Sequence, residues 1–177
     1  MTDKKSILVA GIGNVFHGDD AFGVLVAREM AKRESTDDVV VADFGTRSYD
    51  LVFAILDGYD IVILVDLVSR GGEPGTVYLL DPVIDAVEAG RSLVGGHSMT
   101  PQTVLSILEA FGGYGGSIYI VGCEPATLES EDGGIGLSPP AEAAVHVAIT
   151  MIEDLIRRLQ HESEQKRPLA LVSTETI

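Results

Sequence analysis

Acid–base or metal-binding chemistry in this chain would fall to its carboxylates and imidazoles. Their densest grouping falls in GIGNVFHGDDAFG, residues 11–23. Two adjacent aspartates, Asp19 and Asp20, follow a glycine-rich turn, and His17 stands just before them. The turn fails as a phosphate site. A dinucleotide fingerprint needs a glycine three residues past its second, where Phe16 stands, and the Gly-Lys-Ser/Thr of a P-loop is absent. Two carboxylates would also repel a phosphate. What such a turn offers instead is negative charge. Asp19 is placed to cap the following helix, whose dipole favours a carboxylate there, and Asp20 is then left to face a cation.

A third carboxylate, Asp66, closes the apolar run IVILV. An anion at the end of a buried strand is costly unless it is paired or holds a cation, so Asp66 reads equally as a loop-bonding residue and as a ligand. Asp43 closes VVVA in the same way, but DFGT reads as turn chemistry. Among the histidines, His97 lies in VGGHSMTPQ, where flanking glycines let the ring be aimed. His146 is expected on the apolar face of the last helix as a structural residue, and His161 to be solvated. Carboxylate oxygens with an imidazole suit a borderline divalent ion such as zinc or nickel. Asp20, Asp66 and His97, from three separate loops, are the candidate set. No serine sits in a Gly-x-Ser-x-Gly elbow, and Cys123, ending SIYIVGC, reads as a small core thiol.

These residues need a scaffold that brings distant loops together. Short apolar runs alternate with longer amphipathic ones, the pattern of an α/β layer fold. Strands are expected at 6–10, 38–43, 60–66, 76–80 and 117–123, and helices at 20–33, 47–57, 101–111 and 139–160. Thr100 and Ser138 are the expected N-caps of the last two helices, each followed by proline at the first helical position. LVSRGGEPG is too short for a helical crossover, so the strands at 60–66 and 76–80 are expected to pair antiparallel. The result is a single-domain three-layer α/β/α sandwich with a mixed, mostly parallel five-stranded sheet. It spans residues 1–160, and 161–177 reads as a flexible polar tail broken by Pro168. In such sheets function gathers in loops beyond the carboxyl ends of the strands, where all three candidates lie.

Composition narrows the partners. With 46% apolar and 22% charged residues, the 177-residue chain is an ordinary globular one. A formal net charge of −15 disfavours nucleic acid and anionic membranes as partners and discourages self-association, so a monomer is expected. One cysteine permits no internal disulfide, and no segment reaches the roughly 20 apolar residues of a membrane span. A cytoplasmic location is the matching expectation.

Five segments in register, GIGNVFHGDDAFG, DFGTRSYDL, VILVDLV, GGHSMTPQTVLSIL and VGCEPATLE with GIGLSPP beyond it, resemble the nickel–iron hydrogenase maturation endopeptidases. The likeness runs from about residue 6 to about residue 157. It implies an endopeptidase that removes a C-terminal extension from the hydrogenase large-subunit precursor after nickel insertion. Bound nickel is then the recognition signal, carried by the precursor. By motif, the family's metal-recognising acid, aspartate and histidine fall on Asp20, Asp66 and His97, with Asp19 or Asp20 as an alternative general base. Gly13 and Asn14, with Gly45, Thr46 and Arg47, fall where substrate would lie. Asp20 replaces a glutamate found in some members, Ala21 stands where glycine is common, and His17 stands where an aliphatic residue is usual. Two rival readings remain: a non-enzymatic nickel-binding maturation module, and another metal-dependent peptidase on the same kind of sheet.

Overall fold

The computed structural model describes residues 4–33, 36–82, 99–126 and 135–165. In chain order it contains β1 (Ile7–Ile12), a 3-10 turn (Gly18–Ala21), α1 (Phe22–Met30), β2 (Val39–Gly45), α2 (Ser48–Leu56), β3 (Ile61–Leu67), β4 (Val77–Leu80), α3 (Pro101–Ala110), β5 (Ser117–Cys123) and α4 (Pro139–Gln165). All five expected strands form. The last helix continues to Gln165, past its expected end at residue 160, and the rest of the tail lies outside the described residues.

The side-chain period of two in a strand sorts each strand's residues onto the two faces. Ile7 and Val9 of β1, with Ile61, Ile63 and Val65 of β3, pack against Phe22 and Val26 of α1 and Ala148, Ile149 and Ile152 of α4. Leu8, Ala10 and Ile12, with Val62 and Leu64, face the other way onto Leu51 and Ile55 of α2 and Val104 and Leu108 of α3. Helices thus cover both faces, so β1 and β3 are buried along nearly their whole length. The three layers are those expected.

The sheet runs β2-β1-β3-β5-β4. β1 lies parallel to β2 and β3, and β3 parallel to β5. β4 is antiparallel, as expected, but its partner is β5 and not β3. The nine-residue link after β3 gives enough reach to pass the β5 position, which a later strand then fills. Order reverses at β1, whose chain first leaves toward β2 and then returns to β3 on its other side. The crevice beyond the carboxyl ends of β1 and β3 is therefore the sheet's switch point, where α/β sheets hold ligands.

Two helix starts follow the expected chemistry. The Thr100 hydroxyl accepts from the Thr103 N–H at 3.3 Å, with Pro101 first in α3. The Ser138 hydroxyl accepts from the Ala141 N–H at 3.4 Å, with Pro139 first in α4. His146 is exposed, against expectation. The buried stripe of α4 runs Ala141, Ala144, Val145, Ala148, Ile149, Ile152, and His146 falls just off it.

Candidate active site

The glycine turn off β1 is built by close approach. Gly13 has φ +131°, and a Cβ there would lie 1.8 Å from the Asp20 carbonyl oxygen. Gly23, in the first turn of α1, sits against the carbonyl ends of two strands: a Cβ would meet Val65 O at 2.0 Å and Ile12 O at 2.4 Å. These two absences of a side chain let the helix and its preceding turn settle over the switch point. The Asn14 N–H donates to the Asp20 carbonyl at 3.0 Å and to Asp20 Oδ2 at 3.0 Å. The Phe16 N–H donates to Asn14 Oδ1 at 3.0 Å. The turn thereby closes on itself and presents Asp20 toward β3.

Asp66 waits there. It is 3% exposed, and its Oδ1 accepts the Leu67 N–H at 2.7 Å. Burial pushes its carboxyl well above the usual carboxylate range, the Leu67 N–H opposes that rise, and the charge of neighbouring Asp20 adds to it. Asp20 is half-buried, and burial raises its carboxyl also, against the Asn14 N–H and nearby His17. Two carboxylates from separate loops therefore stand together with heightened affinity for positive charge. A proton or a metal cation relieves that cost, and a base of raised proton affinity suits hydrolysis near neutral pH. His97 lies outside the described residues, and among those described no three His, Cys, Asp or Glu side chains gather as a metal site. His17 is exposed, close enough for its charge to act on Asp20.

Asp19 does not cap the helix. His17 is the N-cap of the 3-10 turn, with no side-chain bond, and Ala21 that of α1. Asp19 points inward, 5% exposed, where its carboxylate accepts from Ala126 and Ser138. A 3-10 turn inserted before α1 rotates the two aspartates apart, so neighbours in sequence serve opposite sides.

The second rim of the crevice is the loop after β2. The Gly13 N–H donates to Gly45 O at 3.1 Å, and Gly45 has φ +54°. Thr46 and Arg47 are exposed beside it. The Arg47 guanidinium donates to Asp43 O at 2.5 Å and Phe44 O at 3.1 Å, so this side chain secures the loop itself. Asp43 turns out to pair with Arg28 of α1, its Oδ2 2.9 Å from Arg28 Nε and also 2.9 Å from Nη2, and not to bond the turn as expected. Cys123 is fully buried, and burial pushes its thiol up to about 12, consistent with a core residue.

Glu124 is a further buried acid beside the site, outside the set that the sequence marks. It is 4% exposed and accepts from the Ser69 hydroxyl, the Arg70 and Gly71 N–H groups and the Tyr78 hydroxyl at 2.8–3.3 Å. Burial alone would raise its carboxyl, but these donors outweigh it and hold it below the usual range. It gathers the loop after β3, immediately beyond Asp66. The signal that marked Asp66, a carboxylate ending an apolar strand, is also present in IVGCE.

A family model described as hydrogenase maturation protease matches residues 24–155. The chain is 32% identical over 152 residues to the hydrogenase expression/formation protein HupD of Rhizobium leguminosarum bv. viciae, covering 85% of this chain and 74% of that one. It is 29% identical to the hydrogenase 2 maturation protease of Escherichia coli K12, covering 85% and 90%. Among solved structures, the hydrogenase-maturating endopeptidase HybD from E. coli superposes with a TM-score of 0.71 at 29% identity, covering 86% of this chain and 92% of that chain. The HycI maturation protease of Thermococcus kodakarensis gives 0.64 at 26%, covering 88% and 95%. A match over most of the chain, on the fold that sets Asp20 beside Asp66, places this protein in the hydrogenase maturation protease family, whose members are endopeptidases.

Proposed function

We propose that this protein removes the C-terminal extension of a nickel–iron hydrogenase large-subunit precursor after nickel insertion, with the bound nickel as its recognition signal. The observation that carries the reading is the juxtaposition of Asp20 with fully buried Asp66 at the switch point, each with a raised affinity for positive charge. A precursor that arrives with nickel on its own cysteines supplies a cation to that pair, and His97 from the third loop completes the reading set. Docking of the metal lays the adjacent scissile bond across the crevice, between the Gly13–Asn14 turn and the Gly45–Arg47 loop, so that proximity supplies much of the rate. Water then attacks the scissile carbonyl and gives up its proton to a carboxylate. Asp20, half-buried at the crevice while the Asp19 carboxylate is committed to Ala126 and Ser138, is the base this geometry favours. The proton passes to the leaving amine as the peptide bond breaks. Without nickel the carboxylates repel one another and no productive complex forms, so cleavage is a checkpoint. No described helix is long and apolar enough to cross a membrane, and the charge of −15 fits a monomer working in the cytoplasm.

The test incubates the protein with a large-subunit precursor, with and without nickel, and follows loss of the C-terminal peptide by mass spectrometry. Cleavage in the nickel-loaded sample alone is expected. Equal cleavage in both would remove the checkpoint, and cleavage of unstructured peptides unaided would favour an autonomous peptidase.

A further inference from the structure

Asp19 is buried beside the site, yet its partners come from the far end of the chain. The Ala126 N–H donates to its Oδ2 at 2.9 Å, the Ser138 N–H to Oδ1 at 2.7 Å and the Ser138 hydroxyl to Oδ2 at 2.9 Å. These bonds join residues 107 and 119 positions apart. Ala126 follows the end of β5, and Ser138 begins α4 as its N-cap. The two donors therefore bracket the connection between β5 and α4. Asp20, the next residue along, faces the opposite way toward Asn14 and Asp66.

We propose that Asp19 is a positioning residue: it staples the turn carrying Asp20 to both ends of the β5–α4 connection and so sets Asp20 against Asp66. The inference rests on Asp20 and Asp66 being the working pair. A four-residue 3-10 turn has poor internal hydrogen-bond geometry and cannot hold a side chain in place by itself. Gly18, its first residue, and Gly13 in the preceding loop both have positive φ and add backbone freedom. Three donors converging on one carboxylate supply the missing rigidity. They also commit most of its acceptor positions, about four in all, away from the crevice, which removes Asp19 as the water-activating base. The chemistry favours a carboxylate, because backbone N–H groups donate to both of its oxygens; an asparagine in either orientation would set its amide hydrogens against one of them.

The test measures kcat and KM on nickel-loaded precursor for Asp19→Asn, Ser138→Thr and Ser138→Asp, after circular dichroism has shown each to be folded at the assay temperature. Asp19→Asn should lower kcat by roughly 10–100-fold, the penalty of a misplaced group, with KM nearly unchanged. Ser138→Thr keeps the hydroxyl and should retain the wild-type rate. Ser138→Asp keeps a helix cap but turns an anion on Asp19, and should lose kcat as Asp19→Asn does. Folded Asp19→Asn or Ser138→Asp with wild-type kcat overturns the proposal, and if Asp19→Asn does not fold, the Ser138 pair decides. Amide hydrogen exchange, which needs no precursor, gives a second readout. In Asp19→Asn the Asn14 amide should exchange faster together with those of Ala126 and Ser138. If Ala126 and Ser138 quicken while Asn14 does not, the staple does not reach Asp20 and the proposal is wrong. If the wild-type protein leaves the precursor uncut while the exchange pattern appears, the cleavage reading fails and the staple stands.

Discussion

Asp66 carries its charge at a cost the free protein must bear. Its carboxyl is raised in the folded state, so the folded protein binds a proton more readily than the unfolded chain does. Stability attributable to this group is therefore greatest below the unfolded value, near 3.8, and falls as pH rises toward the raised folded value. Asp66→Asn should melt higher than wild type at pH 7, by roughly 2–4 °C per kcal/mol relieved, and the gap should close in acid. The same variant should lose precursor cleavage, a combination that a merely structural aspartate would not give. The acid limb of activity follows from the same directions. Protons compete with nickel for Asp20 and Asp66, so the cleavage rate should fall while pH is still above the ordinary carboxylate range, read from a pH–rate profile. Cys123, with its thiol near 12, is almost wholly protonated at neutral pH, and iodoacetamide should leave both the thiol and the activity intact.

At the scale of elements, the site depends on how closely α1 can approach β1 and β3. The carbonyls of Ile12 and Val65 occupy the space that a Gly23 side chain would need, and neither is the end of a flexible group. Gly23→Ala should cost about 3 kcal/mol or more, seen as a collapse of the denaturant midpoint. The loop between β3 and β4 has its own anchor in Glu124. Its carboxyl is depressed, so its contribution is present above the unfolded value near 4.5 and lost as pH falls through the folded one. Glu124→Gln should destabilise the protein by about 1–3 kcal/mol at pH 7, because backbone donors lose a charged acceptor, and the difference should shrink in acid. Chemical denaturation at two pH values measures it.

For the whole molecule, the sheet's switch point is what brings Asp20 and Asp66 to one place. Order reverses at β1, so the turn after β1 and the end of β3 open onto one crevice, with α1 above and the β2 loop as a rim. The pair lines neither a groove of about 870 Å³ along α4 beside Leu79 nor one of about 480 Å³ between Tyr49 and Phe111. If the metal is carried by the substrate, as proposed, the free protein should bind nickel feebly by itself. Calorimetry on the free protein should show binding far weaker than that of a closed structural metal site, and tight one-to-one binding without any cleavage would favour the binding-module reading.

The features legible in the sequence are local ones. Short, near-continuous apolar runs set the central strands, and Thr100–Pro101 and Ser138–Pro139 started their helices, because these patterns act between residues close together in the chain. Asp66 was legible because an anion closing an apolar strand is conspicuous; Glu124, carrying the same signal, is explained by donors that lie 46 to 55 residues away. Long-range packing, by contrast, pairs β4 with β5, brings Asp43 to Arg28, sets His146 off the buried stripe and turns Asp19 from the helix it precedes to residues beyond position 125. Each of these depends on which distant donor or strand arrives at the same place, and no short spacing along the chain carries that information.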